Sequence, residues 1–305
     1  MLSTARWLAD GLAARLAVIH VAPEPPDHPA RGAGSYFIAR DAAEARGGIV
    51  LREALHRADL PRQLTRRVEL GDPAERLAAA AREKDAALVV VGTRRRGPLR
   101  SALLGSVSRR LVDAWEPPVV VVPSGATVPG EGDALRTLVC GYDGSATSER
   151  ALAAAAWLAG PLRLELVVAN ARPAAASQAS IPASSGFSPV DAQWLEERSR
   201  RQGLELLDRA EHVVRGTVPI RRKLAFGDPA AALTELAATE RAAMVVVGSR
   251  GHGPVKAAVL GSVSSAVIEL SPTPVVLVTG EAPVPESLPQ PRTASESRGS
   301  SSRAR

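Results

Sequence analysis

The stretch Met244-Val-Val-Val-Gly-Ser-Arg-Gly-His-Gly-Pro254, continued by Val-Lys-Ala-Ala-Val-Leu-Gly261-Ser-Val-Ser-Ser265 and, after a helical run, by Pro272-Thr-Pro-Val-Val-Leu-Val278, decides the fold. Residues 244–247 are continuously apolar and largely β-branched, which suits a parallel strand covered on both faces. The chain must then turn. Gly248, Gly251 and Gly253 permit positive φ and let a ligand approach the backbone N–H groups. Nine residues separate Gly251 from Gly261-Ser262. That pair opens a helix predicted to carry Val263, Ala266, Val267 and Leu270 on one face, with Ser262 as its candidate cap. Free loop amides beside a helix N-terminus favour an anion, because unpaired donors and the helix dipole act in the same direction.

The loop is not a Walker A motif, since Pro254-Val255 stands where Lys-Ser/Thr should follow the last glycine, and it is not the dinucleotide G-x-G-x-x-G either. It resembles the G-x2-G-x9-G-S/T signature of ATP-binding universal stress proteins, matched by Gly248, Gly251, Gly261 and Ser262.

An internal repeat extends the reading to the whole chain. Adding 156 to each residue number from Arg66 to Pro123 gives a gap-free match. Gly71-Asp72-Pro73-Ala74 falls on Gly227-Asp228-Pro229-Ala230, Leu104-Gly105-Ser106 on Leu260-Gly261-Ser262, and Pro118-Val119-Val120 on Pro274-Val275-Val276. In the second copy the pattern predicts strands at 137–141, 164–169, 221–225, 244–247 and 275–278, and helices at 148–158, 192–213, 230–239 and 262–270. The expected fold is α/β: two tandem, doubly wound, five-stranded parallel-sheet domains of Rossmann-like, universal stress protein type. The expected domains are 1–124 and 134–280, joined by a Gly/Pro-rich linker over 123–133. A polar tail over 281–305 is expected to be disordered.

The first copy begins late. Near its start the offset is 150, so that Leu2, Trp7, Leu8 and Leu16 fall on Leu152, Trp157, Leu158 and Leu166, and Met1 falls on Ala151 inside the first helix. The counterpart of strand one, 137–141, and of its loop is therefore missing. In the family the sheet order is 3-2-1-4-5, which puts the missing strand at the centre. The expectation is a start codon recorded downstream of the true one, or a truncated copy. The shift of offset from 150 to 156 marks a longer connection in copy two, 171–189, rich in Ala, Ser and Pro and read as a surface loop.

Composition narrows the function classes. The chain has 305 residues, 45% hydrophobic and 3% aromatic, enough for two cores built from Ala, Val and Leu. No apolar run is long enough to cross a bilayer, and Arg6, Asp10 and Arg15 interrupt the segment where a secretory signal would be apolar. The single cysteine, Cys140, allows no internal disulfide, fits a reducing cytoplasm and reads as a small buried side chain. The net charge of +6 comes mainly from scattered arginines without interleaved aromatics, so it reads as solvated surface and not as a nucleic-acid face.

The resemblance implies an ATP site in copy two, where strands one and four diverge at their C-terminal ends. The turn Gly141-Tyr142-Asp143-Gly144-Ser145 resembles the family's Gly-x-Asp-Gly-Ser turn, which assigns Asp143 to the nucleotide and its Mg2+. The structural alternative is that Asp143 caps the following helix or holds the turn. Ala171 matches a backbone contact to adenine. Gly248, Ser249, Arg250, Gly251, His252, Gly253 and Pro254 would wrap ribose and phosphates, with Gly261, Ser262, Val263 and Ser264 donating to the phosphates. In copy one Arg95 replaces the glycine equivalent to Gly251, which reads as a non-binding partner domain. Asp72-Pro73 and Asp228-Pro229 read as helix starts without chemistry. No histidine has metal-site spacing, and no serine lies in a nucleophile elbow.

The sequence is thus read as a cytoplasmic, ATP-binding stress-response factor, regulatory or protective and not a dedicated catalyst. Its rivals are a nucleotide-independent interaction module and a slow ATPase. By resemblance the last strands, 119–122 and 275–278, pair as a pseudo-dimer within the chain or in a homodimer, and regulatory protein partners remain unnamed.

Overall fold

The computed structural model describes residues 1–26, 32–60, 64–93, 106–115, 118–126, 135–172, 189–214, 217–249 and 260–279. Copy one supplies α1 (Leu2–Gly11), β1 (Ala17–Ala22), α2 (Gly32–Arg57), β2 (Thr65–Leu70), α3 (Pro73–Glu83), β3 (Val89–Gly92), α4 (Ser106–Ala114) and β4 (Val119–Val122). Copy two supplies β5 (Thr137–Gly141), α5 (Ala146–Leu162), β6 (Glu165–Arg172), α6 (Pro189–Val213), β7 (Ile220–Phe226), α7 (Pro229–Thr239), β8 (Ala242–Gly248), α8 (Ser262–Leu270) and β9 (Val275–Val278). At the shift of 156, α3 coincides with α7, α4 with α8 and β4 with β9 from first residue to last.

In copy two the strands lie in the order β7-β6-β5-β8-β9, the 3-2-1-4-5 arrangement, with all neighbours parallel. Parallel strands covered on both faces must be apolar along their whole length. The side chains of Val139, Val167, Val245 and Val275 are fully buried against α7 and α8, and those of Leu138, Cys140, Val168, Met244 and Val246 against α5 and α6.

The last strands pair. β4 runs antiparallel to β9, with Val119 opposite Leu277 and Val121 opposite Val275, so one seven-stranded sheet runs β3-β4-β9-β8-β5-β6-β7. The pseudo-dimer contact expected from the sequence thus forms within the chain. Copy one is divided where its central strand would lie. Its β1 and β2 form a separate two-stranded parallel sheet, while β3 and β4 extend the large one.

Both Asp-Pro helix starts behave as the residue types require. The Asp72 carboxylate accepts from the Ala74 and Glu75 amides, and that of Asp228 from Ala230 and Ala231, with proline at the first helical position each time. The preceding glycines, Gly71 and Gly227, sit at φ +126° and +122°, which only glycine adopts without strain. The expected connection over 171–189 is shorter than read: Ala171 and Arg172 belong to β6 and Pro189 opens α6, while 173–188 lie outside the described residues. Most of the linker, 127–134, and the tail from 280 lie outside them as well.

Candidate functional site

β5 ends at Gly141, opposite Ala169, while β6 runs on to Arg172 on one side and β8 to Gly248 on the other. The divergence of strands around a short central one is where open α/β sheets hold ligands. Here it is built by a chain of backbone contacts.

The exit from β5 is fixed twice. The Tyr142 amide donates to the Ala169 carbonyl at 2.8 Å, and the Tyr142 carbonyl accepts from Asn170 Nδ2 at 2.7 Å. Asn170 is 2% exposed, a polar residue in an otherwise apolar strand, and its bond explains its presence. Sequence reasoning missed it, although a lone Asn ending Leu-Val-Val-Ala was a visible signal. The chain then turns through Gly144 at φ +81°, where a Cβ would come within 2.6 Å of Leu206 Cδ2.

Asp143 Oδ1 accepts from the Ser145 amide at 2.9 Å and from the Ser145 hydroxyl at 2.6 Å. Ser145, not Asp143, is the N-cap of α5: its Oγ accepts from the Ser148 amide, and the helix begins at Ala146, two residues before the predicted start. Asp143 thus accepts two bonds within the turn, while its residue remains exposed at the rim. Beneath it, burial pushes the Tyr142 phenol above its ordinary value, and its hydroxyl has no hydrogen-bond partner among the described residues. Burial pushes the Cys140 thiol up to about 12, so it is an inert core side chain.

Gly248 closes the other side. A Cβ there would lie 3.0 Å from the backbone carbon and oxygen of Thr147, in the first turn of α5. The absent side chain thus lets the β8 exit and the Asp143 turn meet. No pattern within either segment announces this contact, because the partners are remote in sequence.

The start of α8 is tied to the same point. The Gly261 amide donates to the Ser249 carbonyl at 2.7 Å, the Ser249 amide to Val278 at 2.8 Å, and Ser264 Oγ to the Gly248 carbonyl at 2.6 Å. Two expectations are corrected. Gly261 is the N-cap of α8, with no side-chain cap bond, and Ser262 is the first helical residue. The buried face carries Ser264, Val267 and Ile268, while Val263 and Leu270 are exposed, because the bond from Ser264 turns that edge inward. No side chain at the N-cap therefore bonds the first amides of α8.

Ala171 lies within β6, paired with Ala225, and not beyond the strand as expected. The structure therefore brings together Gly141, Asp143, Gly248, Ser249, Gly261, Ser262, Val263 and Ser264, with Ala171 on the overhanging strand. Arg250, Gly251, His252, Gly253 and Pro254 lie outside the described residues, as does Arg95 of copy one. Among the described residues no cluster of three His, Cys, Asp or Glu could hold a metal ion, and no helix is long and apolar enough to cross a membrane.

Comparison with known proteins agrees with this architecture. The sequence profile of the Universal stress protein family matches residues 1–123 and 134–279. A universal stress protein of Mycobacterium tuberculosis is 34% identical over 198 residues, covering 63% of this chain and 62% of its own length. A second from the same organism is 33% identical over 219 residues, covering 70% and 65%. The chain thus spans just over three-fifths of the length of these relatives. Among solved structures, a universal stress protein of Archaeoglobus fulgidus is similar over 91% of both chains, with a TM-score of 0.57 at 20% identity. A Pseudomonas aeruginosa structure described as a putative universal stress protein covers 88% of this chain and 94% of its own, at 0.53 and 14%. At these identities the structural likeness concerns the fold.

Proposed function

The chain belongs to the universal stress protein family, and on that premise we propose that its second domain binds ATP with its Mg2+ and acts as a cytoplasmic stress-response factor, regulatory or protective. The observation that carries this reading is the junction of Gly248, Thr147, Ser249, Gly261 and Ser264. It joins a glycine turn, an uncapped helix N-terminus and the Asp143 turn at the point where β5 stops short.

The residues fit the group. Phosphate oxygens suit the amides of Ser262, Val263 and Ser264, where dipole and free donors act together. Gly248 leaves no side chain over the approach. The backbone at Ala171 suits the adenine edge, and the sequence 250–254 supplies the remaining loop of the signature. Asp143 is the carboxylate we assign to the ATP-bound Mg2+, which when present offsets the phosphate charge. No general base is assigned, so the site is read as binding and not as a dedicated catalyst.

Native mass spectrometry of the chain with and without Mg-ATP tests the proposal. One nucleotide per chain is expected, lost in Asp143→Ala and in Gly251→Arg. No bound nucleotide in the unsubstituted protein would favour the interaction-module reading. Binding that survives both substitutions would move the site elsewhere, and ADP accumulating above the Gly251→Arg level would favour the slow ATPase.

A further inference from the structure

The ladder between β5 and β6 stops one bond early. In a parallel pair the N–H and C=O of every second residue face the same neighbouring strand. The Tyr142 amide donates to the Ala169 carbonyl at 2.8 Å, so Ala169 faces β5, and the Gly227 amide donates to the Arg172 carbonyl at 2.8 Å, so Arg172 faces β7. Ala171 accordingly turns both its N–H and its C=O toward the β5 side. The next bond of the series would run from the Ala171 amide to the Tyr142 carbonyl. That carbonyl is taken by Asn170 Nδ2 at 2.7 Å instead, and the pairing of β5 with β6 ends at Gly141 and Ala169.

Resting on the ATP reading above, we propose that Asn170 is a positioning residue of the nucleotide site: it ends this ladder and so reserves the Ala171 N–H and C=O for an adenine ring. Adenine carries an acceptor ring nitrogen beside an amino donor, the complement of an N–H beside a C=O.

Asn170 is costly where it stands. It is 2% exposed, follows Leu166-Val-Val-Ala169, and its Oδ1 has no hydrogen-bond partner among the described residues. A buried amide with one half unused is poor packing. What an apolar side chain could not supply at this point is the donor to Tyr142.

α6 holds the arrangement. A Cβ on Gly203 would lie 3.1 Å from Asn170 Oδ1 and 2.4 Å from Leu224 Cδ1, so the helix comes this close only because glycine stands there. On the same helix Leu206 lies against the Asp143 turn at Gly144, while Ser199 and Gln202 accept from Arg172. Both ends of the opened segment are thus fixed by one element. Copy one repeats the packing. His20, the counterpart of Asn170 at the offset of 150, lies beneath Gly47, the counterpart of Gly203 at 156, where a Cβ would be 3.1 Å from His20 Cδ2.

Two substitutions remove the donor with opposite effects on packing: Asn170→Leu fills the place and Asn170→Ala empties it. In both, the Tyr142 carbonyl should capture the Ala171 amide and extend the ladder. Residue-resolved hydrogen exchange by NMR, without nucleotide, should then show the Ala171 amide slowed by about tenfold or more, where loss of a merely structural contact would speed it. Mg-ATP should bind about tenfold more weakly to both variants, the worth of one ordinary hydrogen bond, while Mg-tripolyphosphate, which has no base, binds as before. An Ala171 amide that exchanges as fast as in the natural chain, or faster, overturns the proposal. So does Mg-ATP binding that is unchanged, or that falls together with tripolyphosphate binding. A natural chain that bound no Mg-ATP would instead remove the proposed function, and the nucleotide-free exchange would judge the ladder alone.

Discussion

Gly248 and Gly92 occupy the same place in the two copies, and substituting each by alanine separates the site's geometry from the fold's. Neither has positive φ among the described glycines, so alanine meets no backbone strain at either position. What differs is the neighbour. At Gly248 the new Cβ would lie 3.0 Å from the backbone carbon and oxygen of Thr147, in a helix turn held by Ser145 and Ser148. At Gly92 it would meet Met1 Sδ at 3.2 Å, the end of a flexible side chain.

Overpacking against fixed backbone costs about 1–3 kcal/mol. Loss of unfolded-state freedom on going from glycine to alanine returns about 0.4–1 kcal/mol. Gly248→Ala should therefore destabilise by about 1–2 kcal/mol, which lowers Tm by roughly 2–4 °C at this size. Gly92→Ala should be neutral or slightly stabilising, since Met1 can turn aside. Thermal unfolding of both variants, followed by circular dichroism, gives the first comparison, and titration with Mg-ATP gives the second. Only Gly248→Ala should weaken nucleotide binding, because it alone pushes the Asp143 turn from the β8 exit. Equal damage from both substitutions would refute the reasoning, and so would a Gly248→Ala variant unchanged in both assays.

Two further perturbations probe the frame around the site. Asp228→Ala removes two cap bonds from α7, and Asp72→Ala removes the equivalent pair from α3 together with an exposed ion pair to Arg110. Each should cost about 1 kcal/mol, with the ion pair adding little, and urea midpoints that differed widely between the two would contradict the cap assignment. The Arg221 guanidinium holds the Glu240 carboxyl below its ordinary value of 4.5. A depressed carboxylate contributes stability above its unfolded value and loses it as pH falls through the folded one. The stability gap between the natural protein and Arg221→Gln should then be full near neutrality and narrow below about pH 4.5; a gap independent of pH would sink this.

Most of copy two was legible because β5, β8, β9 and the middle of β6 are buried on both faces, which leaves uninterrupted apolar runs to read. β5, β9 and α8 fall where the sequence puts them. The errors sit where a non-local contact decides. The overhang of β6 beyond Ala169 depends on β7, whose 224–226 pair with 170–172. The inward turn of Ser264 depends on the Gly248 carbonyl, and the early start of α5 on a hydroxyl cap that competed with the Asp143 carboxylate. The candidate site was legible as a set of residue types, through the glycine spacing and the Asp143 turn. The contact of Thr147 with Gly248 was not, since it joins two segments brought close only by the sheet.

The seam between β4 and β9 settles how the divided copy is held. A two-stranded sheet is marginal alone, and β3 with β4 would be such a pair. Pairing with β9 places Val119, Val120 and Val121 at the interior of a seven-stranded sheet, where each is fully buried. Half of copy one therefore shares the core of copy two and should unfold with it. The other half, β1 and β2, lacks this connection and depends on packing by α1, α2 and α3. Stability is then graded along the chain, highest around β5 and β8, whose residues are buried on both faces, and lowest at β1, where most residues are half-exposed.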